Sequence, residues 1–302
     1  MTNQSIPPIR HPATLADARY GVQQSRRMLV DTLQILVDFR DAITVVGAHA
    51  VHVWVQDAWG PIDMQATRDA DLAVNPVFVS SDPKLVDLMN GIGAAPALPD
   101  RPGIYGYSFE MDLPLAERTT IDLIVPEVYA GPGRRAARIA GQPHAASRAV
   151  GLELAVWDRV RRTLATFDTP SKQVDAWVAG PAALLVAKAH KVHERFLDIG
   201  THPDRLRPKD SGDVALLMMT SQPAEIFSVM SEQSLAHPEI SQTVVDAARW
   251  LLDMYGDSST VLRHDAIDAL ADRFTQEEVN ETMATWLDGF RKAIHSNGLP
   301  VT

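Results

Sequence analysis

The chain has 302 residues, no cysteine, and 28 basic against 38 acidic side chains, a formal net charge of −10. Without cysteine there is no disulfide framework, zinc–thiolate site, iron–sulfur cluster or thiol nucleophile. A hydrophobic share of 46% with 22% charged residues suits a chain that buries a sizeable core, and the length predicts two domains.

The charge is segregated. From Glu225 to Asp288 there are 13 acidic residues against three basic ones (Arg249, Arg263, Arg273), so the whole −10 falls there. Between Gly131 and Ala165, seven arginines face only Glu153 and Asp158, a local +5. An acidic total therefore does not exclude a polyanionic partner on the basic part. Met1–Arg10 carries no apolar run of signal-peptide kind. The longest uncharged apolar stretch, Ala176–Ala187, is too short to span a bilayer and contains Pro181. A cytoplasmic protein without membrane association is expected.

In chain order, residues 1–20, with Pro7, Pro8 and Pro12, read as an extended arm. Met28, Leu29, Leu33, Leu36 and Val37 have the spacing of an amphipathic helix over Val22–Phe39. Ile43–Val46 is a β-branched run closed by Gly47, which predicts a buried strand, a turn, and then a helix over Ala48–Trp54. Ala66–Val74 alternates as a strand, and Pro83–Met89 suggests a connecting helix. Ile104–Met111 and Thr119–Val125 are further strand candidates, the second stopped by Pro126. Gly131–Arg148 reads as a Gly/Arg/Pro-rich loop, and Leu152–Val156 with Thr163–Phe167 as a hairpin. Beyond Pro181 helical periodicity dominates, broken at Pro208, Pro223 and Pro238. Glu225, Glu232, Glu239, Asp246 and Asp253 recur every seven residues, but Pro238 bars one continuous helix.

The strongest local signal is Thr67-Arg68-Asp69-Ala70-Asp71-Leu72-Ala73-Val74. On a strand, residues i and i+2 share a face, so Asp69 and Asp71 project together and repel unless a cation lies between them. Hard divalent ions such as Mg²⁺ take oxygen ligands of this kind while keeping substrate phosphates in other positions. Asp122 is a lone carboxylate in the otherwise apolar strand Thr119–Val125, costly to bury without a partner unless it points outward from an edge. Brought beside Asp69 and Asp71, it gives a three-carboxylate site able to hold two metal ions. Val46-Gly47-Ala48, a strand running through glycine into a helix, offers backbone N–H groups to a phosphate, or is simply a tight turn.

Downstream, Lys188, Lys191 and Arg195 recur at i, i+3 and i+7 on one helix, and Asp210 and Asp213 at i, i+3 on the next. Solvated ion pairs are the ordinary reading of such patterns, but Lys188 directly follows the apolar run 182–187. His49/His52 and His190/His193 lack the glutamate of a zinc-protease helix and read as core or surface histidines. No serine sits in a nucleophile-elbow context.

The order Gly47-Ala48…Thr67-x-Asp69-x-Asp71…Asp122 resembles nucleotidyltransferases of the polymerase-beta-like fold. Ala183–Arg195, followed by Arg207–Val214, looks like the AbiEii/MenT branch, nucleotidyltransferase toxins of bacterial toxin–antitoxin and phage-defence systems. The resemblance runs in sparse blocks over about Val30–Leu217. It implies an α+β fold: a mixed-sheet nucleotidyltransferase domain over 21–178, after the arm 1–20, and an all-helical C-terminal domain over 179–302. It implies Asp69 and Asp71 as metal ligands, with Asp122 matching the third carboxylate of the wider fold. Lys188 would contact the triphosphate, with Lys191 its competitor, and Asp210 would be a catalytic or lysine-orienting acid. Gly47, Ala48, Thr67, Arg68, Lys191 and Asp213 would line the nucleotide site. Mg²⁺, with Mn²⁺ as substitute, would be the cofactor and an NTP, pyrimidine favoured, the co-substrate.

The acceptor implied is RNA, a tRNA 3′ end, docked on Arg134, Arg135, Arg138 and Arg148; a cognate antitoxin would be a further partner. Gly47-Ala48 stands where the family carries Gly-Gly or Gly-Ser, so no serine hydroxyl is offered there, and Gln65 stands where an arginine is common. The rival readings are a small-molecule nucleotidyltransferase of the antibiotic-modifying sort and a catalytically inactive binding module.

Overall fold

A computed structural model describes residues 15–61, 67–98 and 100–297. The chain runs α1 (Leu15–Ile35), β1 (Ile43–Val46), α2 (Gly47–Trp59), β2 (Asp69–Val74), α3 (Leu85–Gly91), β3 (Ala94–Pro96), β4 (Ile104–Tyr107), β5 (Thr120–Pro126), β6 (Ser147–Ala149), β7 (Arg159–Ala165) and β8 (Gln173–Ala179). Helices follow: α4 (Pro181–Leu197), α5 (Pro208–Met219), α6 (Pro223–Ala236), α7 (Ser241–Tyr255), α8 (Val261–Leu270) and α9 (Gln276–Asn297). The fold is α+β, a mixed sheet followed by a helical region.

The sheet order is β3-β4-β5-β2-β1-β8-β7, with β6 also on β5. Two parallel contacts, β1–β8 and β2–β5, flank the antiparallel pair β1–β2 at its centre. Helices α1 and α2 pack on these central strands. On β2 and β5, Ala70, Leu72 and Val74 and Ile121, Leu123 and Val125 are buried, whereas Asp69 is exposed and Asp71 and Asp122 are partly exposed. The pleat therefore turns the acids to the face opposite the apolar set. Trp54 of α2 donates its indole N–H to the Ala179 carbonyl at 2.8 Å, fixing α2 over β8.

Pro181, Pro208 and Pro223 each open a helix, where the missing N–H costs nothing. Pro238 opens a single 3₁₀ turn between α6 and α7, so the sevenfold acidic spacing spans two helices. One apolar core runs without a break from the sheet through α4 and α5 to α9. The boundary near residue 178 thus marks a change of secondary structure along a shared core. Among the described residues no helix is long and apolar enough to cross a membrane.

Two expectations need correction. The first helix begins at Leu15 and ends at Ile35, with a separate turn over Val37–Phe39, so the arm reading of residues 15–20 is wrong. Residues 1–14 lie outside the described residues. Leu154–Val156 is a 3₁₀ turn, not a strand, and the hairpin is β7–β8. The arginines of β7 hid it: the guanidinium groups of Arg159 and Arg161 lie over the Trp177 ring at 4.7 and 5.0 Å and that of Arg162 over Trp54 at 5.0 Å, so cation–π contacts cover these indoles where apolar side chains usually do.

Candidate active site

Asp69 and Asp71 stand two residues apart on β2 and share a face. The parallel β2–β5 pairing sets Asp71 opposite Asp122 and Asp69 opposite Thr120. Neighbouring strands are about 4.8 Å apart, so the three carboxylates form one patch. β5 is an interior strand, between β2 and β4, so an outward edge position for Asp122 does not arise. Its Oδ1 is buried with no hydrogen-bond partner. Desolvation, reinforced by Asp71 and Asp69, pushes the Asp122 carboxyl well above the usual carboxylate range. Desolvation and Asp69 raise Asp71 as well, opposed by Lys191, Lys188 and Lys209. At Asp69 desolvation is outweighed by Lys209, by the Thr67 hydroxyl and by Lys191, and the carboxyl is held below its usual value. Thr67 Oγ1 donates to Asp69 Oδ1, which explains a threonine two residues before the acid.

Gly47, at the β1–α2 turn, has φ +66°, and a Cβ there would fall 2.1 Å from Asp71 Oδ2. Only glycine lets the chain take this conformation and approach the carboxylate so closely. Gly47 and Ala48 are both partly exposed, so the first turn of α2 reaches solvent beside the acids.

Opposite stand α4 and α5. Lys188 Nζ donates to Asp210 Oδ1 at 3.0 Å and to Asp213 Oδ2 at 2.5 Å, its side chain only 6% exposed. Burial alone would lower this ammonium, but Asp213 and Asp210 outweigh it and hold it above the usual lysine range. Lys191 reaches Asp210 Oδ1 at 3.2 Å with its side chain 40% exposed, and Arg195 closes on Asp210 Oδ2. Against the opposing effect of burial, Lys188, Lys191 and Arg195 keep the Asp210 carboxyl far below its ordinary value. Lys209, in the first turn of α5 and partly exposed, lowers the carboxyls of both Asp69 and Asp71. The sequence reading missed it, although it adjoins Asp210 and stands four residues before Asp213 on one helix face.

The patch is suited to a cation that arrives with a ligand. Among the described residues no three His, Asp or Glu side chains form a ready cation cage. Mg²⁺ rarely uses one: it binds one or two carboxylates and takes its other oxygens from phosphates and water. Two adjacent acids and an orphaned buried carboxylate oxygen fit that requirement.

The remaining candidates divide. Arg68 donates to the Glu117 carbonyl at 3.1 Å, tying β2 to the segment before β5. Arg148 grips Glu127 at 2.5 and 2.7 Å and the Gly131 carbonyl at 2.7 Å, so it holds its own loop. Arg134, Arg135 and Arg138 are exposed, Arg135 pairing with Asp100 at 3.2 Å. His49 is fully buried against Ser25 Oγ at 3.1 Å, and His193 stacks on Trp250 at 3.7 Å; both are packing residues. Gln65 lies outside the described residues. No protein-family model matches the chain, and neither does any curated protein or solved structure.

Proposed function

We propose that the protein is a metal-dependent nucleotidyltransferase of the polymerase-beta-like kind, transferring NMP from an NTP with release of pyrophosphate. The observation that carries this reading is the register of β2 against β5, which sets Asp71 beside Asp122 with Asp69 on the same face. Bound Mg²⁺ would supply charge neutralisation at the reacting phosphate. Asp69 and Asp71 would hold it, and Asp122 would complete the oxygen set. The Gly47–Ala48 turn presents backbone N–H groups where a phosphate can lie, and the lysines opposite supply positive charge for the departing pyrophosphate.

The acceptor is proposed to be RNA, a tRNA 3′ end, with the protein acting as the toxin of a toxin–antitoxin pair. Resemblance at Ala183–Arg195 and Arg207–Val214 supports this, together with the exposed Arg134, Arg135 and Arg138. The test is incubation of the protein with each labelled NTP, Mg²⁺ and total RNA, beside Asp69→Ala. Label in the tRNA fraction that depends on Asp69 is expected. Absence of label from RNA, protein and small molecules alike ends the enzyme reading.

A further inference from the structure

We propose that Arg26 is the seat of an anion site, separate from the acidic patch, which takes one small carboxylate ion between α1 and the tip of the β7–β8 hairpin.

Arg26 lies inside α1 and is 3% exposed. Its Nε donates to the Ala165 carbonyl at 3.1 Å, and its guanidinium lies over the Phe167 ring, 4.9 Å from the centroid. Nη1 is shut off from solvent and has no acceptor, and among the described residues no carboxylate pairs with the group. The acids that join these two elements are already taken: Asp168, next to Phe167, by Arg27, and Asp31 by Lys172. One positive charge is left over, in a place where charge is costly to hold without a counter-ion. Burial brings its pKa down to about 10, so the group is still charged at neutral pH.

The chemistry of the ligand follows from what is left to satisfy. With Nε occupied, the remaining donors are those of the two terminal nitrogens, a fork that meets two oxygens of one oxyanion. A buried water would satisfy the Nη1 donor but leave the charge. A carboxylate balances the single charge, whereas a phosphate dianion would bury an excess charge of its own. Entry is provided for at the roof. Phe167 is partly exposed and meets the edge of His52 at 5.5 Å. The hairpin tip is held on α1 by the Arg27–Asp168 and Lys172–Asp31 pairs, which reach the surface. Surface pairs contribute little, so the tip can lift to admit an ion.

The test uses the full chain at neutral pH, with acetate and fluoride compared at equal ionic strength. The readouts are thermal unfolding and NMR of ¹³C-acetate. Acetate should raise wild-type melting saturably and bind at one site, and inorganic phosphate should bind about tenfold or more weakly by comparison. Arg26→Met should lose acetate binding and, in fluoride, melt at or above wild type, because the unpaired charge is gone. Arg26→Lys, which keeps a charge without the fork, should bind acetate about tenfold or more weakly than wild type. If Arg26→Met does not fold, wild type and Arg26→Lys decide. Wild-type melting indifferent to acetate, with no bound ¹³C-acetate, overturns the proposal and leaves water as the partner of Nη1. So does acetate binding that either variant keeps at the wild-type level, or phosphate that binds as tightly as acetate. None of these results touches the nucleotidyltransferase reading, which stands or falls on label transfer that depends on Asp69.

Discussion

The Cα hydrogen of Gly47 occupies space beside Asp71 Oδ2 that no side chain could share: a Cβ would sit 2.1 Å from the oxygen. The turn that starts α2 and the carboxylate that ends the β2 pairing with Val46 are therefore one construction. Gly47→Ala should cost roughly 1–2 kcal/mol for the left-handed backbone alone. Displacement of Asp71 adds to it, so Mg²⁺-dependent transfer should fall about a hundredfold or more, well beyond what the loss of folded protein explains. Transfer assays normalised to folded protein by circular dichroism check this. An alanine variant with wild-type transfer would show that the contact is incidental.

Asp122 offers a test in which stability and activity part company. Its carboxyl titrates above the ordinary range because burial and two neighbouring acids disfavour its charge. A carboxyl raised in the folded state takes up protons on folding, so its ionisation destabilises the fold as pH rises past about 4. In chelator, Asp122→Asn should melt higher than wild type at pH 8, and the gap should close as pH falls toward the ordinary carboxylate value. Mg²⁺ should raise wild-type melting more than that of the variant, while transfer is lost. A variant that melts below wild type at every pH contradicts the like-charge origin of the shift.

The opposite sign is expected at Asp210. Three cations hold its carboxyl down, so the stability it contributes is present above the ordinary carboxylate value and is lost only as pH falls through the depressed one. Removing one member of a buried ion network costs about 3–5 kcal/mol. Asp210→Asn should show a loss of that order in urea unfolding at pH 7, persisting to about pH 4 and shrinking only in stronger acid. An unchanged unfolding midpoint at pH 7 would contradict the network.

The basic loop separates two kinds of arginine. Arg134, Arg135 and Arg138 are exposed, and their joint replacement by glutamate should leave melting unchanged while weakening transfer to tRNA about tenfold or more, most visibly at low salt. Arg148→Ala should lower melting instead, because Glu127 and the Gly131 carbonyl lose their partner. Undiminished transfer by the triple variant rejects the loop as the RNA contact.

How much of this was legible follows from where each determinant is written. Asp69 and Asp71 carry their relationship in their spacing, and Asp122 announces itself as a charge among Ile121, Leu123 and Val125. What spacing cannot supply is register: that Asp122 meets Asp71 is a property of β2 lying parallel to β5. The lysines show the same limit. Lys188 and Lys191 differ by one helical turn, yet only the packing of α5 on α4 decides which is buried between acids and which faces outward. The β7–β8 hairpin escaped because arginine guanidinium groups, not apolar side chains, cover Trp177 and Trp54, and no hydrophobicity pattern counts an arginine as apolar.

The continuous core has a temporal meaning as well as a spatial one. A ribosome delivers the carboxylates by residue 122, but the cations that face them arrive with α4 and α5, some 70 to 90 residues later. Until Lys191 and Lys209 have emerged and docked, the growing chain holds three clustered acids without these counter-charges, on a sheet packed so far only by the helices that precede it, α1 and α2 among them. The half-made protein therefore has no functioning site. Anything that binds the sheet before α4 and α5 dock would hold the chain in that unfinished state.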